Sequence, residues 1–487
     1  MAKLIRNISL YSLGGVLSKS IQFLLLPLYA HYLSPSDYGK LELTYLFGAV
    51  LVIFYGFIIE NGYSRFFFDK NEENYRNTLF GTAFFFKMIT GAFFLGFSLL
   101  SADLISSVLF NFDEGKTYIK LISISVFIKS ISEIPLKTLI VEKRAGRYVI
   151  NNVLYLIASL ISTVYFVVVL DLNIVGVLYG QILGASVQLA TLLYTEWKWS
   201  FIRFSFSNLK GMLYFSLFLI PTQLASFVTY WSNRLFLQKF SSLHDVGTFS
   251  FGYKIASIIP ILLTMPIKKA LGPEIYELID RPNECRKRIR QFSLLVLIFL
   301  SLFALGLSLF AKELILLMAS KAYTSSHEVV FVLSMGYVLI GMAGIVVLPI
   351  QITKKTWLIT ITWVLSSVFN IALNIVLVPL YGKSGAMYAS FLTFLFILIM
   401  YFIFGEKTYT VNFEYKKYIF VLIIVSFSYI LGAKVNTEIM VINILLKGVL
   451  WLLVCSLMCR IFLSKEHRLK IRYYFRYHVD IRNNRNG

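Results

Sequence analysis

The feature that most constrains this chain is an almost unbroken succession of apolar stretches about 20 residues long, separated by brief polar turns. A bilayer core about 30 Å thick is crossed by about 20 residues of helix, and every backbone polar group in lipid must be hydrogen-bonded within its own structure. Stretches of this length meet both conditions as helices. A 20-residue window places fourteen of them, near 9–32, 40–62, 79–101, 116–137, 149–170, 174–196, 212–236, 246–268, 291–311, 327–350, 356–379, 384–404, 416–434 and 438–460. Composition agrees, with 58% of the 487 residues hydrophobic and 15% charged. Soluble domains carry about a quarter charged residues, and disordered chains lack such apolar content. The first stretch follows Lys3 and Arg6 and shows no small-residue cleavage site, so it reads as an uncleaved span.

The net charge of +21 could indicate nucleic acid binding, but polytopic proteins gather Lys and Arg in cytoplasmic loops, which explains the balance without a nucleic acid partner. With the N-terminus inside, about two-thirds of the 46 basic residues fall in inner segments, notably 137–147, 268–290 and 460–485. Both termini are therefore expected in the cytoplasm, with the chain in the cytoplasmic (inner) membrane. Cys285, Cys455 and Cys459 suggest neither a disulfide nor a zinc framework.

Two internal matches indicate a repeat. YLSPSDYGKL at 32–41 aligns with FSSLHDVGTF at 240–249, setting Asp37 and Gly39 opposite Asp245 and Gly247 at an offset of 208. GVLYG at 176–180 aligns with GAMYA at 385–389 at an offset of 209. A repeat of six spans keeps its orientation, so the expected architecture is two parallel six-helix lobes, 1–205 and 206–410, followed by spans 13 and 14 at 411–463 and a basic tail at 464–487.

Catalytic signatures are missing. Gly382-Lys383-Ser384 lacks the upstream glycine of a phosphate-binding loop, the outer segments are too short to carry an active site, and no carbonyl filter sequence occurs. Transport without a cofactor or metal is the expectation.

Charges within spans carry the functional information, because each is costly unless it meets a partner or a wet cavity. Ser12, Gly15, Lys19 and Gln22 form one polar stripe, as do Gly247, Ser250, Lys254 and Ser257, and Gln223, Ser226, Tyr230 and Arg234. Lys19 lies about 15 Å from either end of its span, a depth that favours a cavity over snorkelling. Lys254 is somewhat shallower, and Arg234, near a span end, fits either reading. Lys129 and Glu133, four apart, can neutralise each other or face a cavity. Glu60 and Glu133 are the carboxylates that could hold a coupling ion. Lys87 and Lys447 stay open, while Asn370 and Asn374 suit helix packing. Cations inside an apolar transporter fit a phosphate or pyrophosphate on a greasy carrier.

The opening SLYSLGGVLSKSIQFLLLPLYAHYLSPSDYGKLEL and the segment TYWSNRLFLQKFSSLHDVGTFSFGYKIASI at 229–258 resemble polysaccharide biosynthesis flippases, the O-antigen and capsule transporters of the multidrug/oligosaccharidyl-lipid/polysaccharide exporter superfamily. The resemblance implies two lobes in a V and translocation of an undecaprenyl-pyrophosphate-linked oligosaccharide to the outer leaflet, coupled to an ion gradient. Its implied partners are the lipid-linked oligosaccharide, membrane lipid, and polysaccharide polymerase and assembly proteins. Lipid II flippases of the same superfamily also have fourteen spans and cationic cavities. Its drug exporters typically have twelve spans and rely on carboxylates, which fits this chain less well.

Overall fold

The computed structural model describes residues 23–110, 112–196, 203–435, 437 and 439–462. Every regular element among them is helical: α1 (Leu26–Tyr32), α2 (Pro35–Phe54), α3 (Ile59–Phe66), α4 (Glu73–Leu100), α5 (Ala102–Leu109), α6 (Gly115–Val141), α7 (Ala145–Val164), α8 (Asn173–Glu196), α9 (Phe206–Leu217), α10 (Ile220–Phe240), α11 (Leu243–Ala256), α12 (Met265–Glu277), α13 (Pro282–Leu309), α14 (Ala311–Met318), α15 (His327–Val346), α16 (Leu348–Ile352), α17 (Trp357–Thr408), α18 (Tyr415–Ala433) and α19 (Met440–Phe462). Wider π-helical turns at Tyr165–Val169 and Ile259–Thr264 extend α7 and join α11 to α12.

Among the described residues nine helical stretches are long and apolar enough to cross a membrane, or up to eleven when the bent pairs α2–α3 and α9–α10 each count as one span. Three features account for the difference from fourteen. The 52-residue α17 is broken at Gly382, whose φ of 51° and ψ of −127° are not helical, and so contains two of the expected spans. The 27-residue α6 is as long as a span but carries Lys116, Lys120, Lys129, Glu133 and Lys137, too many charges to register as apolar. Most of the first expected span lies outside the described residues.

Capping chemistry sets the start of α2 five residues earlier than hydropathy alone suggests. The Ser34 hydroxyl accepts from the Asp37 amide at 3.1 Å, and Pro35 occupies the first turn, where its missing N–H costs nothing. Ser242 repeats the device with the Asp245 amide at 3.1 Å. At its far end α2 turns by 43° into α3 through three residues with positive φ, Gly56, Phe57 and Ile58. Gly56 is needed there, since a Cβ would lie 2.7 Å from the Lys87 side chain.

The internal repeat is visible as reciprocal packing of α2 on α11. A Cβ on Gly39 would lie 2.3 Å from the Leu243 carbonyl oxygen, and one on Gly247 would lie 1.7 Å from the Pro35 carbonyl oxygen. Pro35 and Leu243 are themselves a pair at the offset of 208. Each repeat therefore rests its glycine on the other's first turn, as an axis between them requires. At the opposite end of the spans α9 lies against α3 and α4: the Gly62 amide donates to Ser216 Oγ at 3.2 Å, and the Ser205 amide donates to Thr82 Oγ1 at 3.0 Å.

Asn370 and Asn374 do pack helices together. Asn374 Nδ2 donates to Asn233 Oδ1 at 2.7 Å, Asn370 Nδ2 donates to Thr393 Oγ1 at 3.0 Å, and the Ser232 hydroxyl donates to Asn370 Oδ1 at 2.8 Å. All are buried between α10 and the two halves of α17. Helices α18 and α19 pack on α13, where Trp451 Nε1 donates to the Leu302 carbonyl at 2.9 Å. Lys447 on α19 is held at 2.5 Å by Glu313 on α14. Outward faces carry exposed Phe93, Phe97, Ile161, Val441, Leu445 and Leu452, as contact with lipid tails demands.

Candidate functional site

Arg234 and Lys254 meet at one carboxylate. Glu42 on α2 is fully buried; its Oε2 accepts from Arg234 Nε at 3.1 Å, and Lys254 Nζ lies 3.6 Å from its Oε1. The Tyr38 hydroxyl donates to Oε1 at 3.1 Å. Arg234 also donates to the Tyr230 carbonyl at 3.0 Å, and its guanidinium lies 4.7 Å from the Trp231 ring centre and 4.9 Å from that of Tyr253. Hydrogen bonds, an ion pair and two aromatic faces together stabilise a cation that burial alone would expel. Among the described residues two basic side chains therefore meet a single carboxylate. It also joins the two repeats, because Glu42 and Tyr38 come from α2 while the cations come from α10 and α11.

The other polar residues of that α10 stripe do not reach this cluster as side chains. The Tyr230 ring packs between Trp363 and Phe394, with centroids 6.0 and 5.6 Å away, and only its carbonyl meets Arg234. Gln223 is exposed. Lys19 and Gln22 lie outside the described residues.

The expected pairing of Lys129 with Glu133 is replaced by a different one. Lys87, 1% exposed on α4, donates to Glu60 Oε2 at 2.8 Å and to Glu133 Oε2, so both candidate coupling carboxylates are held by one buried ammonium. Lys87 comes from a neighbouring helix and is enclosed, so it gains more from the carboxylates than Lys129 would. Lys129 instead sits 5.2 Å above the Tyr155 ring.

Lys129 and Glu133 line a cavity of about 370 Å³ within the first repeat. Its wall is built from α2, α6, α7 and α8, with Tyr29 from α1 and Trp231 reaching in from α10. Ser125, Tyr45, Tyr155 and Gln181 add hydroxyl, phenol and amide groups, and Gln181 Nε2 donates to the Tyr45 hydroxyl at 2.5 Å. No group of three or more His, Cys, Asp or Glu suited to a metal occurs among the described residues.

Sequence reasoning missed Glu42. A signal existed, because the offset of 208 sets Glu42 opposite Ser250, a member of the polar stripe that also holds Lys254.

Residues 4–279, more than half of the chain, match the profile of the family described as polysaccharide biosynthesis protein. The chain belongs to that family. Among curated proteins this polysaccharide biosynthesis family member is 23% identical over 338 residues to an uncharacterized membrane protein of Haemophilus influenzae, a match covering 68% of this chain and 80% of the relative. Its fold is that of a solved lipid II flippase MurJ in an inward closed conformation, with a TM-score of 0.72, 13% identity and coverage of 95% of this chain and 99% of the other. An inward-facing multidrug resistance transporter of the MATE family, from the MOP superfamily, is also similar, with a TM-score of 0.62, 16% identity and coverage of 82% and 94%. The family member is thus a multi-pass membrane protein with the flippase and transporter fold expected from its sequence.

Proposed function

We propose that this protein flips an undecaprenyl-pyrophosphate-linked oligosaccharide from the cytoplasmic to the outer leaflet of the cytoplasmic membrane by alternating access, with both termini inside and the lobes divided near residues 205 and 410. The observation that carries this reading is the buried Arg234–Glu42–Lys254 cluster between the repeats, where two basic side chains converge on one carboxylate, an arrangement that suits a phosphate group. In the closed arrangement Glu42 occupies the two cations. Separating α2 from α10 and α11 removes it and leaves them to the pyrophosphate, while the lipid tail stays in the bilayer. Membership of a polysaccharide biosynthesis family supports an oligosaccharide cargo.

Deletion of the gene tests this. A flippase predicts loss of a surface glycan and a complete lipid-linked repeat unit accumulating in the inner leaflet, identified by mass spectrometry. Accumulated lipid II would favour the peptidoglycan precursor instead, and an intact glycan with altered drug sensitivity would overturn the proposal.

A further inference from the structure

We propose that the cavity of the first repeat is a sugar subsite, holding the ring next to the pyrophosphate, and that it is separate from the phosphate site at Arg234 and Lys254. This inference rests on the flippase reading and deepens it. Its first support is chemical. The Tyr155 and Trp231 rings offer apolar faces for the C–H face of a pyranose, and Gln181 and Ser125 offer donors and acceptors for its hydroxyls. Lys129 and Glu133 stand four residues apart on one face of α6, so an ammonium donor and a carboxylate acceptor are placed to bracket neighbouring hydroxyls.

The second support is charge. Lys87 and Lys129 balance Glu60 and Glu133, so this cluster is neutral overall and gives an anion no advantage. At Glu42, by contrast, two basic side chains meet one carboxylate among the described residues. A substrate with a charged pyrophosphate and an uncharged sugar would be sorted by these two environments in opposite directions.

Position is the third. Trp231 lines the cavity, and its ring holds the Arg234 guanidinium 4.7 Å away. They stand three positions apart on α10, nearly one helical turn or about 5 Å along the axis, which suits a ring and a phosphorus joined through one glycosidic oxygen. A volume of about 370 Å³ lies at the small end of ligand pockets, which run from about 300 to 1,000 Å³, so the cavity suits a ring or two and leaves the rest of a repeat unit outside.

The test is thiol protection in nanodiscs. Ser125→Cys is introduced into full-length protein with Cys285, Cys455 and Cys459 replaced by Ser, and maleimide labelling of the introduced thiol is timed. Probes are farnesyl pyrophosphate, farnesyl-pyrophosphoryl N-acetylglucosamine, and high-millimolar methyl glycosides of glucose, galactose, N-acetylglucosamine and glucuronic acid. The expected result is severalfold slower labelling with the glycosylated probe or at least one glycoside, and unchanged labelling with farnesyl pyrophosphate. Trp231→Ala should raise the half-protecting concentration about tenfold, the equivalent of one lost aromatic stacking contact, with Trp231→Phe in between.

Equal protection by farnesyl pyrophosphate would overturn the assignment, as would protection by none of the sugars. Failure of the unliganded protein to label would overturn it too, since a site closed to maleimide is closed to sugar. Sugar protection in a protein whose deletion leaves surface glycan intact would sink the flippase reading alone. Glycan loss on deletion, with no protection by any sugar, would sink the subsite alone.

Discussion

Removing Arg234 should be among the most damaging single changes in the described helices. Arg234 and Glu42 are 2% and 0% exposed, and truncating one partner of such a pair strands the other charge away from water. That loss is generally about 3–5 kcal/mol. Glu42 keeps the Tyr38 hydroxyl at 3.1 Å and Lys254 at 3.6 Å, so the lower end, about 3 kcal/mol, is expected for Arg234→Ala. Replacing both partners by apolar residues, Arg234→Leu with Glu42→Leu, should recover part of it, because no arginine or carboxylate is left unpaired, and only part, because Lys254 loses its contact with Glu42. The measurement is a double-mutant cycle on reversible unfolding by SDS in bicelles. A coupling energy of about 2 kcal/mol is expected, within the 0.5–3 kcal/mol found for interacting pairs. Additivity of the two single changes to within about 0.5 kcal/mol would refute the pairing between the repeats.

Other changes test the packing and the proposed cycle. Gly247→Ala and Gly39→Ala should each abolish transport while the protein still inserts, with Gly247→Ala the worse, because their added methyls would fall 1.7 and 2.3 Å from backbone oxygens; Gly96→Ala and Gly146→Ala, which meet nothing within 4 Å, should transport normally. Glu42→Gln should tighten farnesyl pyrophosphate binding, measured by calorimetry in nanodiscs, yet lower turnover; weaker binding would contradict competition between Glu42 and phosphate. Lys87→Met should destabilise by about 3–5 kcal/mol, and adding Glu60→Gln and Glu133→Gln should reverse most of that loss in the same unfolding assay. Cysteines placed at Ser36 and His244 should react with an impermeant maleimide in intact cells and one at Arg281 should not; the reverse pattern would invert the proposed topology.

Much of the fold could be read from the sequence because lipid imposes a single length and a single secondary structure on each crossing. The repeat was legible for a steric reason: Gly39 and Gly247 stand where each helix touches the other's backbone, so the match in the sequence marks the contact itself. Arg234 and Lys254 were found because a charge in an apolar helix is conspicuous. Glu42 was not, since hydropathy draws its span from residue 40, which puts it at the span's edge where a carboxylate is ordinary, and its partner is 192 residues away. Local spacing misled at Lys129 and Glu133. A separation of four says that two side chains share a face, but not which neighbour is more deeply enclosed, and Lys87 wins Glu133 from 46 residues away. Of the cavity only Lys129 and Glu133 could be read, because the rest of its wall is assembled from several helices whose relative placement no periodicity records.

Three buried cation–carboxylate clusters among the described residues differ in one respect that bears on transport. Lys87 with Glu60 and Glu133 joins helices of the first repeat, and Lys447 with Glu313 ties α19 to α14, so both can persist while rigid bodies move. Glu42 with Arg234 and Lys254 crosses from one repeat to the other. On the proposed reading it must break in every cycle. A ligand shifts a conformational equilibrium only by its difference in affinity between the states. Pyrophosphate gains that difference if it pairs with Arg234 and Lys254 where Glu42 has left, because the cations then exchange one anion for another and are never stranded. An empty carrier would have no such replacement and would stay closed at the Ser34 and Ser242 end. The cluster that holds the repeats together would then also be the one that makes their separation conditional on cargo.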